Sequence, residues 1–292
     1  MGAPLGELEI PGVPLFRRGK VRDTFDLGDR LLMVASDRLS AFDCVLPDLI
    51  PDRGRVLTAL SRHWFARTAA LVANHLLPDQ PAVVPADVWE RIGDRTMLVV
   101  KADRIDVECV VRGRLAGSGW EEYHSRGTLA EEPLPPGLEF GAALDPPRFT
   151  PATKSDSGHD QNISRAHLRS LLGEEVAARL EALSIGLFRA GREGCLAAGF
   201  DLVDTKFEFG WVGGRLTLID ELLTPDSSRF WELAASRGGA DPQGFDKQPV
   251  RDWLSASGWD RRPPAPHLPP ELVVETRRRY LEVLRRITGI SL

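Results

Sequence analysis

A chain of 292 residues with 42% apolar content is long enough to bury a sizeable core in one large domain or two lobes. Its longest run free of Asp, Glu, Lys and Arg, Thr68 to Pro78, falls far short of the ~20 apolar residues that a membrane helix needs. A net charge of −5, from 37 basic and 42 acidic residues with no long like-charge block, disfavours a nucleic-acid partner.

In chain order, the acids and prolines of the first twenty residues stand where a secretory signal needs a basic start and an apolar run, so export is not expected. KVRDTFDL, GDR and LLMVAS read as a hairpin over Gly19 to Ala35, and SDRLSAFD as a loop at the sheet edge. Leu57, Leu60, Trp64, Thr68, Leu71 and His75 recur at helical spacing, predicting a helix over Val56 to Leu77. Strands follow at MLVVKA and DVECVVRG, then a Pro- and Gly-rich surface loop over Glu131 to Pro151. Asn162 or Ser164 caps a helix bearing Leu168, Leu171, Leu172 and Val176, and a further helix runs to about Ala198, where Gly199 ends it. FDLVDTKFEFG and RLTLIDELL form the clearest hairpin, Arg237 to Pro249 a second long loop, and Val273, Thr276, Tyr280, Val283 and Ile287 the stripe of a final helix. Early meanders with helices gathered later predict an α+β fold.

Two features point to chemistry. Only five of the basic residues are lysines, Lys20, Lys101, Lys154, Lys206 and Lys247, which singles them out as places where a compact ammonium is wanted in a chain that otherwise uses arginine. The three cysteines, Cys44, Cys109 and Cys195, are scattered without a CxxC, which fits a cytoplasmic protein without disulfides or zinc.

Along a strand, Asp204, Lys206 and Glu208 share one face and Val203, Thr205, Phe207 and Phe209 the other. Alone, such a row reads as a solvated outer face. The return strand ends in Asp220 and Glu221, and two carboxylates on adjacent strands offer Mg²⁺ its preferred oxygen donors. Asp220 reaches the face of Lys206 and Glu208 only through an odd-numbered loop or a bulge; a two-residue Gly-Gly turn puts it on the wrong side. Gly19, Lys20 and Arg22 suit a phosphate-approaching turn but lack P-loop spacing. Lys101, ending MLVV, either reaches solvent or points into a cleft. Arg112, Arg114 and Ser118 amid small residues suit a phosphate cradle, while in SDRLSAFD and TKSDSGHD local turns compete with a ligand role, and His159 beside Asp160 is no dyad on adjacency alone.

Set in order, RGKVRD, SDRLSAFD, VECVVRGRLAGS, TKSDSGHD, LVDTKFEFG, LIDELLTPDSSRFW and FDKQPVRDWL resemble the SAICAR synthetase family, and the last segment resembles its longer form. The resemblance implies two α+β lobes, divided near residue 103, with ATP between them. It implies an ATP-dependent ligase that joins L-aspartate to the carboxylate of CAIR, a carboxyaminoimidazole ribonucleotide, with ATP and Mg²⁺ as cofactors, small molecules as partners and a monomer or small homo-oligomer as the assembly. Its motifs assign Lys20, Arg22 and Lys101 to ATP, Glu208 and Asp220 to ATP and Mg²⁺, and Lys206 to the transferring phosphoryl group or substrate carboxylate, with Asp204 orienting it. They assign Arg112, Ser118 and Arg229 to the ribonucleotide phosphate, and Ser40 and Asp43 to the imidazole carboxylate. Lys154, Asp156, His159, Asp160, Lys247 and Gln248 are candidates for the aspartate site. A small-molecule kinase is the competing reading of the same acids and lysines.

Overall fold

The computed structural model describes residues 3–154, 161–236 and 244–292. Strands β1 (Leu15–Arg18), β2 (Arg22–Asp26) and β3 (Arg30–Ala35) form an antiparallel meander. A small hairpin follows, β4 (Arg38–Ala41) and β5 (Cys44–Leu49), then helices α1 (Arg53–Thr68) and α2 (Ala86–Ile92), and β6 (Thr96–Val100) closes the first sheet in the order β1-β2-β3-β6. The second sheet is built on β8 (Val107–Arg114) and is preceded by the short β7 (Asp103–Arg104).

Beyond α3 (Gly117–Arg126) and the short pair β9 (Thr128–Leu129) and β10 (Glu132–Pro133), β11 (Ala143–Phe149), β12 (Ala152–Thr153) and β13 (Gln161–Asn162) extend that sheet. Helices α4 (Arg165–Leu172) and α5 (Glu174–Ala197) lead to the 13-residue β14 (Phe200–Val212), which pairs with β7, β8, β15 (Arg215–Ile219) and β16 (Ser228–Glu232). After α6 (Leu233–Ser236), α7 (Gln248–Ala256) and α8 (Pro270–Thr288) complete the chain. The fold is α+β with antiparallel sheets, as the meander-then-helix pattern predicts. Among the described residues no helix is long and apolar enough to cross a membrane.

The main core places α5 against the apolar face of β14. Leu187, Phe188 and Cys195 meet Phe207 and Phe209, and Trp64 of α1 and Tyr280 and Val283 of α8 join the same cluster, all at most 1% exposed. That burial leaves the opposite face of β14, with its charged row, turned towards the interior of the molecule.

Four local expectations change. SDRLSAFD is not simply a loop: Leu39 and Ala41 are buried in β4, and the reversal is made by Phe42 and Asp43 at φ 49° and 62°. The helix predicted to Leu77 stops at Thr68, leaving His75 in an extended segment whose N–H donates to Leu218 O (3.1 Å) and whose carbonyl accepts from Val100 N (2.9 Å). The spacing persisted at His75 because that residue is buried between the two sheets, whereas Leu71 is exposed. The Pro-rich stretch after Glu131 contains β11, an edge strand whose irregular register between Ala143 and Arg148 accommodates Pro146 and Pro147. Ser164 does cap α4, accepting from His167 N at 3.3 Å, but Gly173 ends that helix and Val176 belongs to α5.

Candidate active site

A cavity of about 740 Å³ opens between the two sheets. Lys20, Arg22, Ser40 and Asp43 line it from the first sheet and its neighbouring hairpin, and Lys154, Lys206, Glu208, Asp220 and Lys247 from the second sheet and beyond. Of the five lysines, four therefore face one cavity.

The β14–β15 hairpin explains how Asp220 gets there. The register runs from Val212↔Arg215 to Glu208↔Ile219 around a two-residue turn, Gly213-Gly214, with φ of 54° and 76°. Glycine suits both turn positions because both are left-handed. Continued as a strand, this register would place Asp220 with Phe207, away from Lys206. Instead β15 ends at Ile219, and Asp220 adopts φ 67°, which swings its carboxylate into the cavity against the Arg22 guanidinium. The expected odd loop or bulge is absent; one left-handed residue after the strand does the same job.

Lys206 Nζ donates to Glu108 Oε1 and Glu208 Oε1, each at 2.8 Å, and Lys154 pairs with the other oxygen of Glu208. Burial alone would lower the Lys206 pKa, but Glu208 and Glu108 hold it well above its ordinary value. Burial likewise opposes ionisation of Glu208, and Lys206 and Lys154 outweigh it, so this carboxyl is held far below its usual range. Arg22 bridges Asp220 and, at 3.3 Å, Glu221; these carboxylates outweigh the cost of its burial and raise its pKa. Lys20 pairs with Asp43 at the rim, both about half exposed.

A second cluster lies further along the same face of β14. Asp204 Oδ2 accepts from Arg229 (2.7 Å) and from Arg112 (3.2 Å), whose other terminal nitrogen donates to Ser118 Oγ at 2.9 Å. Arg112 Nε rests on Thr150 Oγ1 at 3.1 Å. Gly117, at φ 53°, lies under Arg229 so closely that a Cβ there would meet the guanidinium at 2.3 Å, so no other residue fits without displacing it. Burial is the main influence on Arg112 and lowers its pKa, whereas the nearby Asp204 charge raises that of Arg229.

Several sequence expectations need adjusting. Asp204 does not orient Lys206; strand register sets it opposite Arg112, and Glu108 and Glu208 grip the lysine instead. Lys101 lies outside the cavity lining. Its ammonium is 2.8 Å from Asp26 and 5.5 Å from the Phe16 ring, while its neighbours Val100 and Ala102 face the cavity. Gln248 also lies outside, donating to Asp252 along its own helix at 2.8 Å. Asp156, His159 and Asp160 lie outside the described residues.

Glu108, Asp226 and His75 join the lining although the sequence did not single them out. Glu108 was within reach, because VECVVR places Glu108, Val110 and Arg112 on one strand face.

His75 is 3% exposed beside Asp220, and burial lowers its pKa from 6.5 to about 4. A folded value below the unfolded one means that the unfolded chain takes up a proton first as pH falls. Stability from this group is complete above pH 6.5 and declines as pH drops towards 4, by about 3 kcal/mol in all. Urea unfolding between pH 7 and 5 is expected to show this slope in the wild type and a flatter one in His75→Asn; identical slopes contradict it.

Among the described residues no group of three or more His, Cys, Asp or Glu side chains is assembled to hold a metal. Glu208 and Asp220 nevertheless supply hard oxygen donors to one cavity. That set suits Mg²⁺, which completes its shell with water and phosphate oxygens rather than with an all-protein cage.

Residues 15–266 match the family described as SAICAR synthetase. The chain is 45% identical over 282 residues to the phosphoribosylaminoimidazole-succinocarboxamide synthase of Elusimicrobium minutum, covering 94% of this chain and 96% of that one. It is 47% identical over 290 residues to the enzyme of the same name from Syntrophobacter fumaroxidans, covering 98% and 96%. Among solved structures it is similar to the SAICAR synthase of Saccharomyces cerevisiae complexed with SAICAR, with a TM-score of 0.89, 36% identity and 99% coverage of both chains. A SAICAR synthetase solved with ADP, 24% identical and covering 94% and 98%, shares the fold with a TM-score of 0.72.

Proposed function

The chain belongs to the SAICAR synthetase family, and on that premise we infer that its cavity joins L-aspartate to the carboxylate of CAIR with consumption of ATP, giving SAICAR, ADP and phosphate in purine biosynthesis. The observation that carries the reading is the inward-facing row on β14. Lys206 and Glu208 meet the turned-in Asp220 and the Lys20–Arg22 loop in one cavity, and Asp204, with Arg112 and Arg229, continues that row. Relatives solved with SAICAR and with ADP support the choice of ligands.

A carboxylate is a poor acyl donor because oxide would have to leave. Transfer of the γ-phosphoryl group from ATP to the CAIR carboxylate releases ADP and makes phosphate the leaving group. The deprotonated aspartate amine then attacks the carbonyl carbon, the C–O bond to phosphate breaks, and the amide forms with loss of a proton.

Lys206, a permanent cation between two carboxylates, faces the oxygens on which charge accumulates during both steps. Lys20 and Arg22 reach the ATP phosphates, and Glu208 and Asp220 would hold Mg²⁺, which would screen the charge of the phosphate oxygens. Arg112, Ser118 and Arg229 grip the ribonucleotide phosphate, Ser40 and Asp43 face the imidazole carboxylate, and Lys154 and Lys247 offer charge to the incoming amino acid. The same reading divides the chain into lobes at about residue 103 and entails a cytoplasmic site of action with small-molecule partners.

ADP and SAICAR are expected to appear together only when ATP, CAIR and L-aspartate are all supplied. ADP formed at full rate without an amine, with no amide product, is the kinase outcome and overturns the ligase reading. Arg229→Ala is expected to raise the KM for CAIR about a hundredfold through loss of one charge-assisted phosphate contact, with the KM for ATP within twofold. Equal changes in both constants contradict the phosphate assignment.

A further inference from the structure

The wall of the cavity at Lys247 is held from outside the cavity. Asp226, in the turn before β16, receives Lys247 Nζ on Oδ2 at 2.8 Å, and the Arg53 guanidinium pairs with the same oxygen. Its other oxygen accepts the Tyr280 hydroxyl at 2.9 Å. Asp226 and Lys247 line the cavity, whereas Tyr280 lies behind them on α8, 1% exposed, its ring 5.9 Å from the Arg53 guanidinium carbon. Helix α8 lies beyond residue 266, where the match to the family ends.

Among the described residues, two cations crowd one oxygen of Asp226, and one neutral donor holds the other. The Tyr280 hydroxyl is the contact that fixes the rotation of the carboxylate, and with it the place of the Lys247 ammonium. Burial and the Asp226 charge keep that hydroxyl protonated and therefore able to donate. We propose that Tyr280 is a positioning residue for the ligation, acting through Asp226 to hold Lys247 against L-aspartate. This rests on the proposed function only for the identity of the substrate; the placement of Lys247 by Tyr280 does not depend on it.

Tyr280→Phe removes one oxygen and keeps the ring that α8 buries. Expected are a KM for L-aspartate raised about tenfold, a KM for ATP within twofold of wild type, and no further rise when the change is added to Lys247→Met, because residues acting as one unit are not additive. Val283→Ala, one turn further along the buried face of α8, loosens the helix without touching Asp226 and is expected to leave the ratio of the two KM values unchanged.

A readout independent of turnover uses the scarcity of lysine. With ¹³C-lysine labelling, the chain gives five ε-methylene signals, and Tyr280→Phe is expected to move that of Lys247 while those of Lys20 and Lys101 stay in place. The proposal is overturned by an unmoved Lys247 signal, by a Tyr280→Phe effect that persists in full in Lys247→Met, or by the same KM shift from Val283→Ala. A moved Lys247 signal in a protein that makes no SAICAR upholds the positioning role and removes the ligase reading instead.

Discussion

Lys206→Met is expected to lower kcat by about 10² to 10³, the range found when a group aimed at developing charge is removed from an active site. The ammonium lies between two carboxylates on the inward face of β14, with 29% of its side chain still exposed, so it is gripped and yet open to a ligand. Methionine keeps much of the stem and deletes the charge together with the two hydrogen bonds it donates. The fold is expected to survive. Lys154 remains on Glu208, and removing one cation from these buried carboxylates costs about 3 to 5 kcal/mol, still inside the ~5 to 15 kcal/mol margin of an ordinary domain. Single-turnover formation of ADP and SAICAR, with circular dichroism to verify folding, gives the answer. A kcat within tenfold of wild type removes Lys206 from the mechanism.

Asp204→Asn is expected to act on stability and on one substrate together. Asp204 is 4% exposed and is the shared acceptor of two arginines, so the amide leaves Arg112 and Arg229 facing each other with no intervening anion. Breaking a buried pair in this way costs about 3 to 5 kcal/mol. The two guanidiniums are then free to separate, and the KM for CAIR is expected to rise at least tenfold while that for ATP changes little. Denaturant unfolding and initial rates test both parts. Unchanged stability contradicts the clamp, and a larger effect on ATP than on CAIR contradicts its place in the ribonucleotide subsite.

Much of this architecture was legible in the residues because period-two and period-3.6 patterns follow burial. The β2–β3 and β14–β15 hairpins, the cap at Ser164 and the stripe of α8 all stand as read. The misses came where burial and backbone disagree: His75 kept helical spacing in an extended segment, and β11 hid behind its prolines. The charged row on β14 was visible as a row, but its direction was not. That depends on α5 covering the other face, a long-range fact that no local pattern encodes. Asp220 illustrates the same limit. Register excluded it, and a single positive φ restored it. The link between Asp226 and Tyr280 escaped because the two are 54 residues apart in the chain, whereas Glu108 was passed over although its strand face was readable.

Lys206, Glu208 and Asp220 are expected to converge on one triphosphate. A crystal structure of the protein with a non-hydrolysable ATP analogue and Mg²⁺ is the decisive experiment. Expected are the β- and γ-phosphates in the 740 Å³ cavity, with Glu208 and Asp220 on the metal and Lys206 turned towards the γ-phosphate. A triphosphate bound elsewhere, with these three side chains still occupied only by one another and by Glu108, Lys154 and Arg22, contradicts it.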